Sequence, residues 1–194
     1  MRVFLNLSGD KDSKFTSLYH AMTGGEYSHA FLSFDVTPSN TYETYYEAFG
    51  PKILKRWPGG TRGPLKMERF YAWLEADGHD RIHAQQELFL TPAEALLAYN
   101  YLHNASGQLA YATLQIPFTL LQLRDGLAIG PAVATCTHVT CAEYVARALP
   151  PRILVPFCRL GEFTYDLFIP SGNQINSLQR GVGAYVAADL AARS

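Results

Sequence analysis

Surplus charge is what this chain most plainly lacks: 16 Lys and Arg stand against 17 Asp and Glu, for a formal net charge of -1. So balanced a surface supplies no field to gather phosphate backbones or anionic lipid, which argues against nucleic acid as a main partner. Long apolar runs are missing too. Residues 1–14 carry charges at Arg2, Asp10, Lys11 and Asp12, and no stretch there is long enough for a signal peptide or a transmembrane segment. A cytoplasmic protein is the expectation, and a phage-encoded or virion-associated one would read the same way. Cysteine is scarce: three residues, an odd number, argue against a disulfide framework and leave thiol chemistry or plain burial. No internal repeat is visible. What is present, 48% apolar and 17% charged residues over 194 positions, suffices for one globular core, so residues 1–194 are expected to form a single domain.

Hydrophobic periodicity and turn residues divide the chain. An apolar, β-prone opening at 2–7 is closed by Ser8-Gly9-Asp10, and Phe15, Leu18, Tyr19 and Met22 at helical spacing predict a helix over 12–22, ended by Gly24-Gly25. Strands are expected at 29–36 and 42–49 around Thr37-Pro38-Ser39-Asn40, then a Pro/Gly-rich surface loop over 50–66 that rims a cleft. Two further strands, 67–76 and 81–90, flank Asp77-Gly78-His79-Asp80. Thr91-Pro92-Ala93-Glu94 has the signals of a helix start, and that helix should run to about 104. Another helical stretch is expected over 109–123 despite Pro117, and a compact helix over 140–149 that Pro150-Pro151 must stop. Strands early and helices late predict an α+β fold.

In the segment Thr140-Cys141-Ala142-Glu143-Tyr144-Val145, Thr140 and Glu143 have capping-box spacing, which sets Cys141 in the first turn of its helix. Unpaired backbone N–H groups and the positive end of the helix dipole favour a thiolate there. Cys141, Tyr144, Val145, Ala148 and Leu149 follow one helical face, so the sulfur points to the protein side, at the floor of a cleft. A small buried core cysteine is the commoner fate of such a position.

Thiol chemistry needs an imidazole in reach of the sulfur and a polar group to orient the ring. His29 opens the run His29-Ala30-Phe31-Leu32-Ser33-Phe34, and Glu47 lies in Tyr45-Tyr46-Glu47-Ala48-Phe49. A hairpin centred on Pro38 would set His29 directly across from Glu47, with Cβ atoms about 4.5 to 5.5 Å apart, leaving one ring nitrogen for Cys141. A slip of one residue would turn Glu47 to the other face. The alternative is a strand-end histidine and a solvated edge carboxylate.

Taken together, residues 17–29 (Ser-Leu-Tyr-His-Ala-Met-Thr-Gly-Gly-Glu-Tyr-Ser-His), Tyr46-Glu47-Ala48, Gly107-Gln108-Leu109-Ala110-Tyr111 and Cys141-Ala142-Glu143-Tyr144-Val145 resemble the YiiX-like branch of the permuted NlpC-type cysteine peptidases, the wider group to which lecithin:retinol acyltransferase belongs. The resemblance spans residues 3–168, including Tyr165-Asp166-Leu167-Phe168, and keeps that group's order of histidine, polar residue, cysteine. It implies a circularly permuted papain-like fold with an antiparallel sheet packed against the helix bearing the cysteine. It implies Cys141 as nucleophile, His29 as base and Glu47 as the orienting third residue. It also raises Tyr111 as a hydroxyl near the oxyanion, with a core tyrosine as the alternative; Thr140, beside Cys141, is a second candidate for oxyanion or substrate contact. Ala142 stands where the family often has Ser.

The activity so implied is a thiol-dependent amidase or peptidase working through an acyl-thioester on a peptide, isopeptide or acyl-lipid substrate, with no cofactor. Lipid or thioester acyl transfer on the same fold is one alternative, and a binding or virion-associated structural protein on that scaffold is another. The aromatic stretches 42–49 and 70–73, with Trp57, would line an apolar cleft or serve as core. Cys136, His138 and Cys141 have a C-x-H-x-x-C spacing that, with Cys158, offers zinc a site, but a capped helix and missing paired C-x-x-C knuckles fit it poorly. His79 and His83 have H-x-x-x-H spacing, but Gly78 and β-prone neighbours put them on a turn and a strand, where their rings diverge.

Overall fold

The computed structural model describes residues 1–14, 16–17, 21, 27–50, 59–112 and 138–150. Seven strands and three helices are defined among them: β1 (Val3–Asp10), β2 (His29–Phe34), β3 (Thr44–Phe49), β4 (Gly60–Lys66), α1 (Met67–Leu74), β5 (Arg81–Leu88), α2 (Pro92–Ala105), β6 (Ala110–Tyr111), β7 (His138–Val139) and α3 (Cys141–Ala148). The strands form one sheet in the order β5-β1-β2-β3-β4-β6-β7. Every pairing is antiparallel except β6 with β7. The fold is therefore α+β, as its sequence order predicts. No helix among the described residues is long and apolar enough to cross a membrane.

Alternation along the central strands divides the apolar side chains between two clusters. Val3, Leu5 and Leu7 of β1, Ala30, Leu32 and Phe34 of β2, and Tyr46 and Ala48 of β3 pack with Ala98, Tyr99 and Leu102 of α2 and with Cys141, Tyr144 and Val145 of α3. The intervening Phe31 and Tyr45 join Met67 and Phe70 of α1 in a second, smaller cluster. Tyr144 Oη donates to the Leu102 carbonyl at 2.8 Å, so the polar end of a fully buried ring is satisfied and the two main-core helices are tied together.

Three expectations need correction. Residues 67–74 are a helix, α1, not a strand: Met67 and Phe70 are buried three positions apart, and that helical spacing outweighs the β-prone aromatics around them. Residues 60–66 are strand β4, not loop: Gly63 takes a positive φ and lies where an added Cβ would run into the Tyr46 ring, so the glycine admits a close approach inside the sheet. Ala110 and Tyr111 form β6 rather than a helix, because Ala112 N–H bonds the Val139 carbonyl at 2.9 Å and Tyr111 N–H faces Gly59 O at 3.4 Å. The rest of the 109–123 expectation, part of the 12–22 helix and the tail beyond 150 lie outside the described residues, as do Trp57, Cys136 and Cys158.

Candidate functional site

Helix α3 begins as its sequence predicts. Thr140 Oγ1 accepts from Glu143 N–H at 3.2 Å, and Glu143 Oε2 accepts from Thr140 N–H at 3.4 Å, which completes the capping box. Glu143 also holds Arg147 at 2.5 Å one turn on. Cys141 is thereby fixed at the first residue of the helix, 1% exposed, with α3 packed against β2 and β3. Thr140 is buried and its hydroxyl serves as the cap acceptor.

His29 is the first residue of β2. Its entry is set by Ser28, whose N–H bonds the Ser8 carbonyl at 3.1 Å and whose hydroxyl lies 2.8 Å from that of Thr16. The ring meets Glu47: Nε2 donates to Oε2 at 2.7 Å. The strand register reaching this contact differs from the one expected. Leu32 pairs with Tyr46, Ser33 with Tyr45 and Phe34 with Thr44, two positions off a hairpin that would set His29 opposite Glu47. An even offset preserves the face, so the two side chains still meet as diagonal neighbours.

The carboxylate has a second partner, one that the sequence reading did not single out. Arg62 of β4 stands directly opposite Glu47 in the ladder and bonds its Oε1 through Nε at 2.7 Å and through a terminal nitrogen at 2.6 Å. Arg62 also lies over the Phe49 ring, 4.2 Å from its centroid. The glycines and prolines of 50–66 hid this strand, and with it the cross-strand opposition of charge that would have found the arginine.

Burial pushes the His29 value down, but a side-chain hydrogen bond with Cys141, the bond to Glu47 and the charges of both raise it to about 10. Burial likewise works against the Glu47 carboxylate, and the His29 bond and charge together with Arg62 outweigh it, holding Glu47 below its ordinary value. Since Glu47 occupies Nε2, Nδ1 is the ring atom left to the sulfur. The His29 side chain is 24% exposed, against 9% for Glu47, so the ring is the open side of the group.

Of the five residues singled out from sequence, His29 and Glu47 meet at 2.7 Å, and Cys141 lies close enough to His29 to raise its value. Tyr111 sits on β6 beside Val139, two residues before Cys141, with its ring against Gly50 and the main core. Its neighbourhood is the segment leading into the catalytic candidate. His79 and His83 diverge: the first faces Asp10 and Asp12 at 3.6 and 3.8 Å, while the second bonds Asn6 at 3.0 Å. Asp10, Asp12 and His79 have ligand atoms within 4.8 Å of one another, but they are solvent-facing or partly exposed, and Arg81 stands 3.6 Å from Asp10. No protein-family model, curated protein or solved structure matches this chain.

Proposed function

We propose that this chain is a thiol-dependent hydrolase of amidase or peptidase type on a circularly permuted papain-like scaffold, with Cys141 as nucleophile, His29 as base and Glu47 as the residue that orients the ring. The observation carrying this reading is the His29 imidazole bonded on one side to a buried carboxylate and coupled on the other to a thiol at a helix start. In the reaction the Cys141 proton passes to His29 Nδ1 and the sulfur attacks a carbonyl carbon. His29 then protonates the leaving amine as the C–N bond breaks, giving an acyl-thioester. Water, losing its proton to the same ring, cleaves the thioester and regenerates the thiol.

Complete ionisation of an ordinary thiol gains only about 30-fold at neutral pH, roughly 2 kcal/mol. Oxyanion donors at about 3 to 4 kcal/mol each, and substrate positioning, supply more. The backbone N–H of Cys141, unpaired within α3 because it lies in the first turn, is the natural first donor. Peptide, isopeptide and acyl-lipid carbonyls all satisfy this chemistry.

A panel of peptide amide, isopeptide and thioester substrates tests the reading. Cys141→Ala should remove turnover, a loss of at least roughly a thousandfold, and Cys141→Ser nearly so, with the folded state retained. Activity persisting in both variants defeats the assignment. The 1% exposure of Cys141 favours one second reading, a scaffold that binds without turning over, since inert structural cysteines are buried in this way. Selective alkylation of Cys141 by iodoacetamide at neutral pH, lost in His29→Ala, separates the two: a thiol that does not react belongs to the binder.

A further inference from the structure

We propose that Arg62 is a positioning residue of this site: gripping Glu47 Oε1 through two nitrogens, it aims Oε2 at His29 and cancels the carboxylate's charge. The inference rests on the catalytic reading of Cys141 and His29 and adds a fourth member to the group. It stands on the opposition of Arg62 and Glu47 in the β3–β4 ladder and the bonds of 2.7 and 2.6 Å to one carboxylate oxygen. The other oxygen lies 2.7 Å from His29. A carboxylate held this way cannot rotate its Oε2 off the ring without breaking both guanidinium bonds.

The charges explain why a second cation is needed. Groups coupled to Glu47 are His29 on β2, Arg62 on β4 and Tyr45 on its own strand, with Arg69 of α1 beyond Tyr45 and Cys141 of α3 beyond His29. Once the proton has passed from sulfur to ring, the thiolate and imidazolium cancel, and Glu47 would leave the group with one uncompensated negative charge. Once the sulfur is acylated and His29 has surrendered its proton, Glu47 would be a buried carboxylate without any cation. Arg62 makes the group neutral in both states, so the reaction moves charge only between sulfur and ring. Arg62 itself is anchored by the Phe49 ring, which fixes the guanidinium plane without competing for its N–H donors.

The test is the pH profile of Cys141 alkylation by iodoacetamide in the full chain. Arg62→Gln leaves a net negative charge beside the thiolate, so the acid limb should move up by about one pH unit, a roughly tenfold loss of rate below the limb. Arg62→Lys should recover part of the shift, because a point charge restores neutrality but not the forked grip. Arg62→Gln combined with Glu47→Gln removes both charges and should bring the limb back down relative to Arg62→Gln alone, a rescue that a merely structural arginine would not show. A folded Arg62→Gln protein with the parental profile, or a double variant shifted further still, overturns the inference. Should Arg62→Gln not fold, Arg62→Lys and the double variant decide alone: a lysine variant with the parental limb and a double variant shifted upward overturn it. Failure of the underlying catalytic reading looks different: the parental Cys141 would then be unreactive, or reactive without regard to His29.

Discussion

At the scale of single residues, the His29–Glu47 contact ties stability to pH in a direction that can be worked out. His29 is raised from 6.5 to about 10 by Cys141 and Glu47 against burial, so its contribution is fully present below 6.5 and is lost as pH rises through about 10. Glu47 is lowered from 4.5 by His29 and Arg62 against burial, so its contribution is present above 4.5 and is lost as pH falls through its folded value. The two overlap in full between 4.5 and 6.5. Urea unfolding from pH 4 to 10 should therefore show the margin of the parental chain over Glu47→Gln at its widest in that interval and shrinking toward the alkaline end. The alkaline slope itself should flatten in Glu47→Gln, because His29 loses a bond and a charge that hold its proton. A slope unchanged by the substitution would show that Glu47 does not hold the ring protonated.

Among the elements, the two capped helices differ in a way that sets the cost of losing the cap. Both α2 and α3 begin with a capping box, Thr91 with Glu94 and Thr140 with Glu143. In the α2 box Thr91 is exposed and Glu94 half-buried, whereas Thr140 and Glu143 are both about 5% exposed. Thr91→Ala leaves donors that water can reach and should cost about 0.5 to 1 kcal/mol, and Thr140→Ala strands buried ones and should cost closer to 2. Thr140→Ser keeps the acceptor oxygen and should recover most of the loss, as read by denaturant midpoints; equal costs for the two alanine variants would contradict this account. The same boxes explain why these helices were legible, since S/T-x-x-E is a local chemical signal that needs no partner from elsewhere in the chain. Helix α1 has no such signal: Lys66 makes no side-chain cap bond, and Phe70, Tyr71 and Trp73 are as β-prone as they are helical. Strand β4 was hidden because Gly63 and Pro64 are ordinarily loop residues, and the close approach of Gly63 to the Tyr46 ring that favours a glycine there exists only in the folded sheet. The site was legible for a similar reason to the caps. The register was misplaced by two positions, yet period-two alternation makes an even error harmless, so His29 and Glu47 were still placed on one face. Arg62 was missed along with its strand.

On the scale of the whole molecule, the sheet separates a large core that carries α2 and α3 from a small one that carries α1, and the two should fail separately. Phe70 anchors the small cluster, with ring centroids 4.8 Å from Phe31 and 6.2 Å from Tyr45, while Leu102 is fully buried in the large one. Phe70→Ala should cost about 3 to 4 kcal/mol and Leu102→Ala about 2 to 5, similar totals by cavity formation and lost transfer free energy. Their distribution should differ. Helix α1 has only Met67 and Phe70 fully seated and lacks a cap, so removing the Phe70 ring should let it open locally. Amide hydrogen exchange should then show α1 exchanging faster than the global loss accounts for, with α3 following the global value. Leu102→Ala should loosen α2 and α3 together, because the Leu102 carbonyl accepts the Tyr144 hydroxyl and their side chains share one cluster. Alkylation of Cys141 gives the functional counterpart. Its pH profile should survive Phe70→Ala, since α3 and the main core that seat the thiol remain intact, and should broaden in Leu102→Ala, where the helix start is no longer held at one distance from His29. Exchange that rises equally in α1 and α3 after Phe70→Ala would mean that the two clusters melt as one and that the site draws its rigidity from both sides of the sheet.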